Sequence, residues 1–358
     1  MTAFSRRDFL AQTASLGAVV GVAGHLLAAD KPPEKIKVGQ IGTSHAHATK
    51  LAVYRKSPSY EVVGIVEPDA GRRKHAEQLP AFANLPWLTE EQLLDTASLQ
   101  VVLVETHVRD LLTTAQRAID AGKHVHLDKP AGDSFPRYKS LLDAAEKRNL
   151  LVQMGYMYRY SPAVVLLRKF LSEGWLGEVF EVHTVMSKVV PPEDRKELAE
   201  FSGGIMFELG CHVIDLVVGV LGPPQKVTPY QRKSGFVADN LVDNVLAVLE
   251  YPHATATVKS SAVEVNGGAR RHLTVCGRKG TFHIQPLDAP NVVYTLDADH
   301  GEFKKGTHEI KFGNYERYSG DAEDMARILR GEKQCDFPYT HDLAVQETVL
   351  RASAMKLD

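Results

Sequence analysis

The chain has 358 residues, 44% hydrophobic and 24% charged, with a formal net charge of −2. That length accommodates two domains of ~150 residues, and the charge balance presents no basic surface for nucleic acid. Three cysteines, Cys211, Cys276 and Cys335, are too few and too scattered for a disulfide framework or a zinc knuckle.

Arg6-Arg7 stand ahead of a run from Phe9 to Ala29 that contains no Asp, Glu, Lys or Arg and is punctuated by Gly17, Gly21 and Gly24. Paired arginines, a weakly hydrophobic stretch and small residues at Ala28-Ala29 resemble a twin-arginine export signal over residues 1–29. The alternative is a membrane anchor, since the run is long enough for a ~30 Å hydrocarbon core. Its many small residues make it a poor one. Periplasmic or otherwise exported localisation is expected, with no permanent membrane span once the signal is removed.

Residues 30–154 read as one domain. An apolar run at 36–42 has strand length, a tight turn follows, and 48–56 reads as a helix. Strand, turn and helix N-terminus is the geometry that holds a pyrophosphate on free amides. Against Gly-x-Gly-x-x-Gly the chain has Gly42, then Ser44 and His47 where the later glycines would stand. Ser44 is small and can donate to a phosphate, and His45 lies beside it. The alternative for His45 and His47 is a metal half-site, but no carboxylate or cysteine of usual spacing accompanies them, so no metal is expected. A second strand at 60–67 ends in Glu67, 25 residues beyond Gly42. An acid there suits ribose hydroxyls and favours NAD; NADP stays open, because Arg72 and Arg73 could accept a 2′-phosphate. A solvated strand end is the alternative for Glu67.

The alternation continues through a helix at 89–95, a strand at 100–105 closed by Thr106, a helix at 110–121 and a strand at 123–127. A helix at 137–148 and a strand at 150–154 complete a doubly wound parallel sheet. Asp128-Lys129-Pro130 follows the fourth strand, placing Lys129 at the ligand-binding end with its backbone restrained by the proline. A surface lysine closing a strand is the alternative.

Residues 155–358 read as a second, α+β domain with a large, mainly antiparallel, open-faced sheet. Gly155 to Pro162 opens a helix at 163–173; Tyr158 and Arg159 flank the expected cleft and suit sugar hydroxyls, while Tyr156 and Tyr160 divide between core and site. A strand at 179–188 is followed by a charged, proline-containing loop, 189–202, of lid length. In Gly203 to Asp215, Glu208 and His212 are four apart and share a face if helical, with Asp215 one turn on. A carboxylate beside an imidazole orients it and raises its proton affinity. A capped core histidine beside a surface acid is the alternative. Alternating β-branched stretches from 225 to about 310 supply the sheet, and helices at 321–329 and 341–355 cover it or return to the first domain.

Ala121-Gly122-Lys123-His124-Val125 leading to Asp128-Lys129-Pro130, then Gly155 to Pro162, then Gly203-Gly204 through Glu208, His212 and Asp215, resembles the glucose-fructose oxidoreductase and inositol dehydrogenase (Gfo/Idh/MocA) family. The resemblance covers essentially all of the chain after the signal. It implies that Lys129 contacts cofactor and substrate, that His212 transfers the proton, that Glu208 replaces a sugar-contacting aspartate, and that Asp128 belongs to the cofactor site in place of a glutamate. It also implies a Lys-Pro bond that is often cis, and dimers or tetramers paired through open sheet faces. His107 stands where the family usually has a proline.

The expected activity is hydride transfer between NAD(P) and a secondary alcohol or ketone of a sugar, glycoside or polyol. His212 would take the hydroxyl proton, Glu208 support the imidazole or a neighbouring hydroxyl, and Lys129 polarise the oxygen or share the proton. Two alternatives remain: a redox-neutral enzyme that retains its dinucleotide, such as a glycosidase, lyase or sugar–sugar oxidoreductase, and a non-catalytic dinucleotide sensor.

Overall fold

Val101-Val102-Leu103-Val104 is apolar at every position, which suits a strand covered on both faces, and all four residues are buried. They form β3 (Val101–Val104) of a five-stranded parallel sheet ordered β2-β1-β3-β4-β5. Its partners are β1 (Ile36–Ile41), β2 (Tyr60–Val66), β4 (His124–Leu127) and β5 (Val152–Met154). The structure is a computed structural model that describes residues 34–358; the export signal expected over 1–29 lies outside the described residues. The chain moves outward from β1 to β2 and then returns to β3 on the other side. That reversal leaves a crevice between the carboxyl ends of β1 and β3, where such sheets take their ligands.

The connecting helices are α1 (Leu51–Lys56, reached through a 3-10 turn at Ala48–Lys50), α2 (Ala70–Ala76), α3 (Glu90–Leu94), α4 (Val108–Asp120) and α5 (Phe135–Lys147). Local chemistry sets several of their starts. Thr89 and Gln92 form a reciprocal capping box on α3, and the Asp69 side chain accepts the Arg72 amide at the start of α2.

The second domain opens with α6 (Pro162–Ser172), β6 (Val179–Ser187) and α7 (Pro192–Leu198), followed by a wide π-type turn at Met206–Gly210 that runs into α8 (Cys211–Leu221). α8 is apolar on nearly all sides and is buried almost throughout, as such a helix must be. Seven further strands follow: β7 (Lys226–Arg232), β8 (Asn244–Glu250), β9 (Thr255–Ser261), β10 (His272–Gly277), β11 (Gly280–Ile284), β12 (Asn291–Leu296) and β13 (Gly306–Lys311). With β6 they make an eight-stranded sheet ordered β13-β12-β11-β10-β6-β9-β8-β7. It is antiparallel except for the parallel β6–β9 pair. Along β8, buried and half-buried residues alternate, so one face is packed and the other open. The closing helices α9 (Ser319–Leu329) and α10 (Tyr339–Ala352) return to the first domain: the Tyr60 hydroxyl donates to the Ala322 carbonyl at 2.8 Å, and Gln346 Nε2 to the Gly132 carbonyl at 2.6 Å.

The segment 189–202 is not the plain loop expected of it. Pro192 in the first turn and the acids Glu193 and Asp194 favour a helix start, and α7 forms there. Buried Arg195 anchors it, with Nη2 3.1 Å from Asp239 Oδ1 and 3.0 Å from Asp243 Oδ2. The far end reaches the first domain, where His107 Nδ1 lies 2.6 Å from Glu197 Oε1 and Arg109 Nη1 lies 2.5 Å from Glu200 Oε2. Among the described residues no helix is long and apolar enough to cross a membrane.

Candidate functional site

Gly42 ends β1 with φ +92°, and a Cβ there would sit 2.7 Å from the Glu105 carbonyl and the Thr106 amide. Only glycine permits so close an approach of the two strand ends. Ser44, Glu67, Thr106 and His107 line the adjoining cleft of ≈ 570 Å³ with Gly42. The Glu67 carboxylate accepts the Thr43 amide at 2.9 Å and hydroxyl at 2.7 Å, so the end of β2 braces the turn. A positive-φ glycine, a small residue at Ser44 and an acid at the end of β2 fit a dinucleotide in this crevice. His47 has φ −100°, ψ 2°, a conformation open to any residue, which is why the glycine pattern can lapse at its third position.

Lys129 emerges from β4 through a cis Lys129–Pro130 bond and is almost wholly buried. Its Nζ donates to Glu208 Oε1 at 2.9 Å and to the Glu208 carbonyl at 2.8 Å. Burial alone would lower the ammonium's pKa, but Glu208 first, then Cys211 and Asp128, hold it above the ordinary lysine value. The lysine is therefore held as an ammonium beside Glu208.

His212, at the start of α8, is buried and its Nδ1 has no hydrogen-bond partner among the described residues. Its ring centroid lies 5.4 Å from that of Tyr158 and 5.5 Å from that of His47. Burial, then the Lys129 charge and the neighbouring His47 imidazole, push its pKa well below the ordinary histidine value, so the imidazole is neutral. The expected Glu208 support is absent. The π-type turn carries the Glu208 carboxylate to Lys129, and Asp215 serves Arg159 instead.

Beneath Lys129 lies a buried polar network that the sequence did not disclose. Asp128 Oδ1 accepts the Lys129 amide at 2.6 Å and lies 3.1 Å from His47 Nδ1, while Oδ2 accepts the Lys50 ammonium at 2.5 Å. Lys50 also lies 3.0 Å from Glu105 Oε1 and donates to His126 Nε2 at 2.9 Å. Burial would raise Asp128, but His45, Lys50 and His47 hold it well below the carboxylate range; burial and then Asp128 push Glu105 well above it. The groups Glu105/His126/Asp128 and His45/His47/Asp128 each bring ligand atoms within 4.8 Å of one another. In the first, the Lys50 ammonium occupies the place of a cation. In the second, His45 Nδ1 accepts the His47 amide at 3.2 Å and the Asp128 oxygens are already engaged.

Two cofactor-site assignments change accordingly. Asp128 is fully buried and His45 nearly so, with His45 Nε2 directed to the Lys129 carbonyl at 2.9 Å. Both hold the lysine from within, Asp128 through the Lys129 amide and His45 through the Lys129 carbonyl. Arg159, expected to contact substrate, is taken up by two carboxylates instead, with Nη2 2.6 Å from Asp215 Oδ1 and 2.6 Å from Asp342 Oδ1. Tyr158 does reach the His212 side of the site, although its hydroxyl donates to Asp288 Oδ1 at 2.5 Å. Lys129 and Glu208 meet across the two domains near His212, and Gly42, Ser44, Glu67 and Thr106 line one cleft.

A family model described as the oxidoreductase family with an NAD-binding Rossmann fold matches residues 36–156, and one described as the GFO/IDH/MocA C-terminal domain matches 164–283. The chain belongs to the Gfo/Idh/MocA oxidoreductase family. It is 28% identical over 221 residues to the uncharacterized oxidoreductase YhhX of Escherichia coli (strain K12), a match covering 60% of this chain and 63% of that relative, less than two thirds of its length. It is 25% identical over 252 residues to an inositol 2-dehydrogenase of Salmonella paratyphi B, covering 70% and 72%. The fold is similar to that of a UDP-N-acetylglucosamine 3-dehydrogenase from Acidithiobacillus ferrooxidans, with TM-score 0.75 and 16% identity over 91% of this chain and 99% of that one. In this chain the turn after β1 carries Ser44 and His47, and the Lys50–Asp128 pair lies beneath it.

Proposed function

We propose that this chain transfers a hydride between NAD(P) and a secondary alcohol or ketone of a sugar, glycoside or polyol. The observation that carries the reading is a fixed ammonium, Lys129, brought from one domain to a neutral imidazole, His212, of the other. When bound, the nicotinamide supplies the hydride acceptor or donor. Neutral His212 takes the hydroxyl proton at a ring nitrogen, and Lys129 donates to the same oxygen as negative charge develops there. Glu208, whose side chain is 20% exposed, exchanges its bond to Lys129 for one to a substrate hydroxyl. Glu67 at the end of β2 disfavours a 2′-phosphate and makes NAD the preferred form. The relative named an inositol 2-dehydrogenase supports a cyclic polyol or sugar.

A second reading keeps the dinucleotide bound through a closed cycle of oxidation and re-reduction. It is favoured by α7, which is tied by Glu197 to His107 in the wall of the cofactor cleft. Export through the twin-arginine route and pairing of two or four copies through the open sheet face belong to the same proposal. The test is incubation of the purified protein with a panel of cyclic polyols and sugars, with and without added NAD or NADP, while nicotinamide absorbance is followed. Reduction of added NAD by at least one alcohol is expected. Product formed with no net change in nicotinamide would select the second reading, and no turnover on any member would overturn both.

A further inference from the structure

His47 and His212 stand against each other at this site, and they differ in what holds them. His212 Nδ1 is buried without a hydrogen-bond partner among the described residues, whereas His47 Nδ1 lies 3.1 Å from Asp128 Oδ1. Their ring centroids are 5.5 Å apart, and Tyr318 stands 5.5 Å from His47 on another side. Removing the hydroxyl proton of an alcohol needs one base. His47 has no part in that step, and its ordinary backbone conformation gives no reason for a histidine where the nucleotide loop would carry glycine.

The network fixes how His47 is protonated. Asp128 accepts from the Lys129 amide and the Lys50 ammonium, and an ionised carboxylate only accepts. His47 must therefore present Nδ1–H to it and keep the lone pair on Nε2. Burial, countered in part by Asp128, lowers His47 to about 3, so it stays neutral. Its side chain keeps 10% exposure beside the reacting lysine, which leaves a route for exchange with water.

We propose that His47 is a second catalytic base, one that removes a proton from the carbon next to the carbonyl held by Lys129. The inference rests on the alcohol/ketone reading of the site. The C–H bond breaks, its proton passes to His47 Nε2, and the electron pair moves onto the carbonyl oxygen, where the Lys129 ammonium compensates the charge. Return of a proton from His47 restores the ketone. No oxidant or reductant is consumed.

The experiment supplies the ketone directly. The full chain is incubated in D₂O with cyclic ketoses, scyllo-inosose among them, without added nicotinamide, and deuterium beside the carbonyl is measured by NMR. Wild type is expected to exchange, and His47→Gln to lower the rate by roughly 100-fold. His212→Gln is expected to lower alcohol oxidation more than it lowers exchange. Nitrogen NMR of histidine-labelled protein is expected to show His47 protonated at Nδ1, a readout independent of any substrate. Exchange undiminished in His47→Gln, absence of exchange by wild type on every ketose, or a proton on Nε2 would each overturn the proposal. Failure of the dehydrogenase reading appears separately, as alcohols that reduce no nicotinamide.

Discussion

The Lys129 ammonium lies 2.9 Å from the Glu208 carboxylate and 2.8 Å from the Glu208 carbonyl, so a strand end of one domain is bonded to the turn that precedes His212 in the other. Glu208 is the main influence holding Lys129 above the ordinary lysine value. A raised native pKa contributes stability that is complete below the free value of ~10.4 and is lost as pH climbs through the native value. In Glu208→Gln that native value falls, so the alkaline limb of the kcat/KM profile moves to lower pH. In Lys129→Met, kcat falls by ~10²–10⁴ while dinucleotide affinity changes far less. Equal losses of both would assign the lysine a structural role.

Arg159 bears on stability, because it neutralises two buried carboxylates, Asp215 and Asp342. Arg159→Met takes the guanidinium from both, leaving Asp215 with His341 Nε2 at 3.6 Å, and is expected to cost about 3–5 kcal/mol, read as a lower urea midpoint. A variant with an unchanged midpoint and weaker sugar binding would restore the substrate-contact role.

Asp321 carries its own pH signature. Both carboxyl oxygens are buried without a hydrogen-bond partner among the described residues, and burial, partly offset by Lys50, raises its pKa to about 7. An acid with a raised native pKa binds its proton more tightly when folded, so its ionisation destabilises the protein as pH rises from ~4 through 7. Asp321→Asn is therefore expected to be more stable than wild type by on the order of 1–4 kcal/mol near pH 8, with the advantage vanishing towards pH 4. Urea titrations at a series of pH values measure it, and a constant difference would contradict the assignment.

The α7 contacts predict slow exchange of the dinucleotide. His107–Glu197 and Arg109–Glu200 are exposed pairs, with Glu197 54% and Glu200 36% accessible, and such pairs contribute ~0–1 kcal/mol each. The double variant Glu197→Gln with Glu200→Gln should release bound dinucleotide up to roughly tenfold faster, and added salt should have a similar effect on wild type. Stopped-flow displacement of the reduced dinucleotide reads the rate; no change would mean that α7 does not restrain it.

The doubly wound sheet was legible because its strands are nearly continuous apolar runs, and Lys129 because it follows one of them into a proline. The pairing of Glu208 with His212 was misread because a spacing of four assumes an α-helix, and no residue announces the π-type turn at Met206–Gly210. Lys50 left a readable signal: it caps α1 four residues before buried Tyr54. His126 left another, since it lies within a strand of a sheet covered on both faces. The bond between His47 and Asp128 spans 81 residues and exists only once β1 and β4 are in one sheet. The helix at 192–198 is signalled by its first-turn proline and acids, but the same charges and prolines also suit a loop.

Lys50, Glu105 and Asp128 come from three separate stretches of chain and meet where no water reaches them. A descendant that exchanged Lys50 or Asp128 for a residue of different charge would inherit an uncancelled ion in the sheet's interior, and one that exchanged Glu105 would remove a neighbour of that ion pair. The trio is therefore bound to drift in concert or to stand still, and the lysine that rests on it gains its permanence from positions that never meet a ligand.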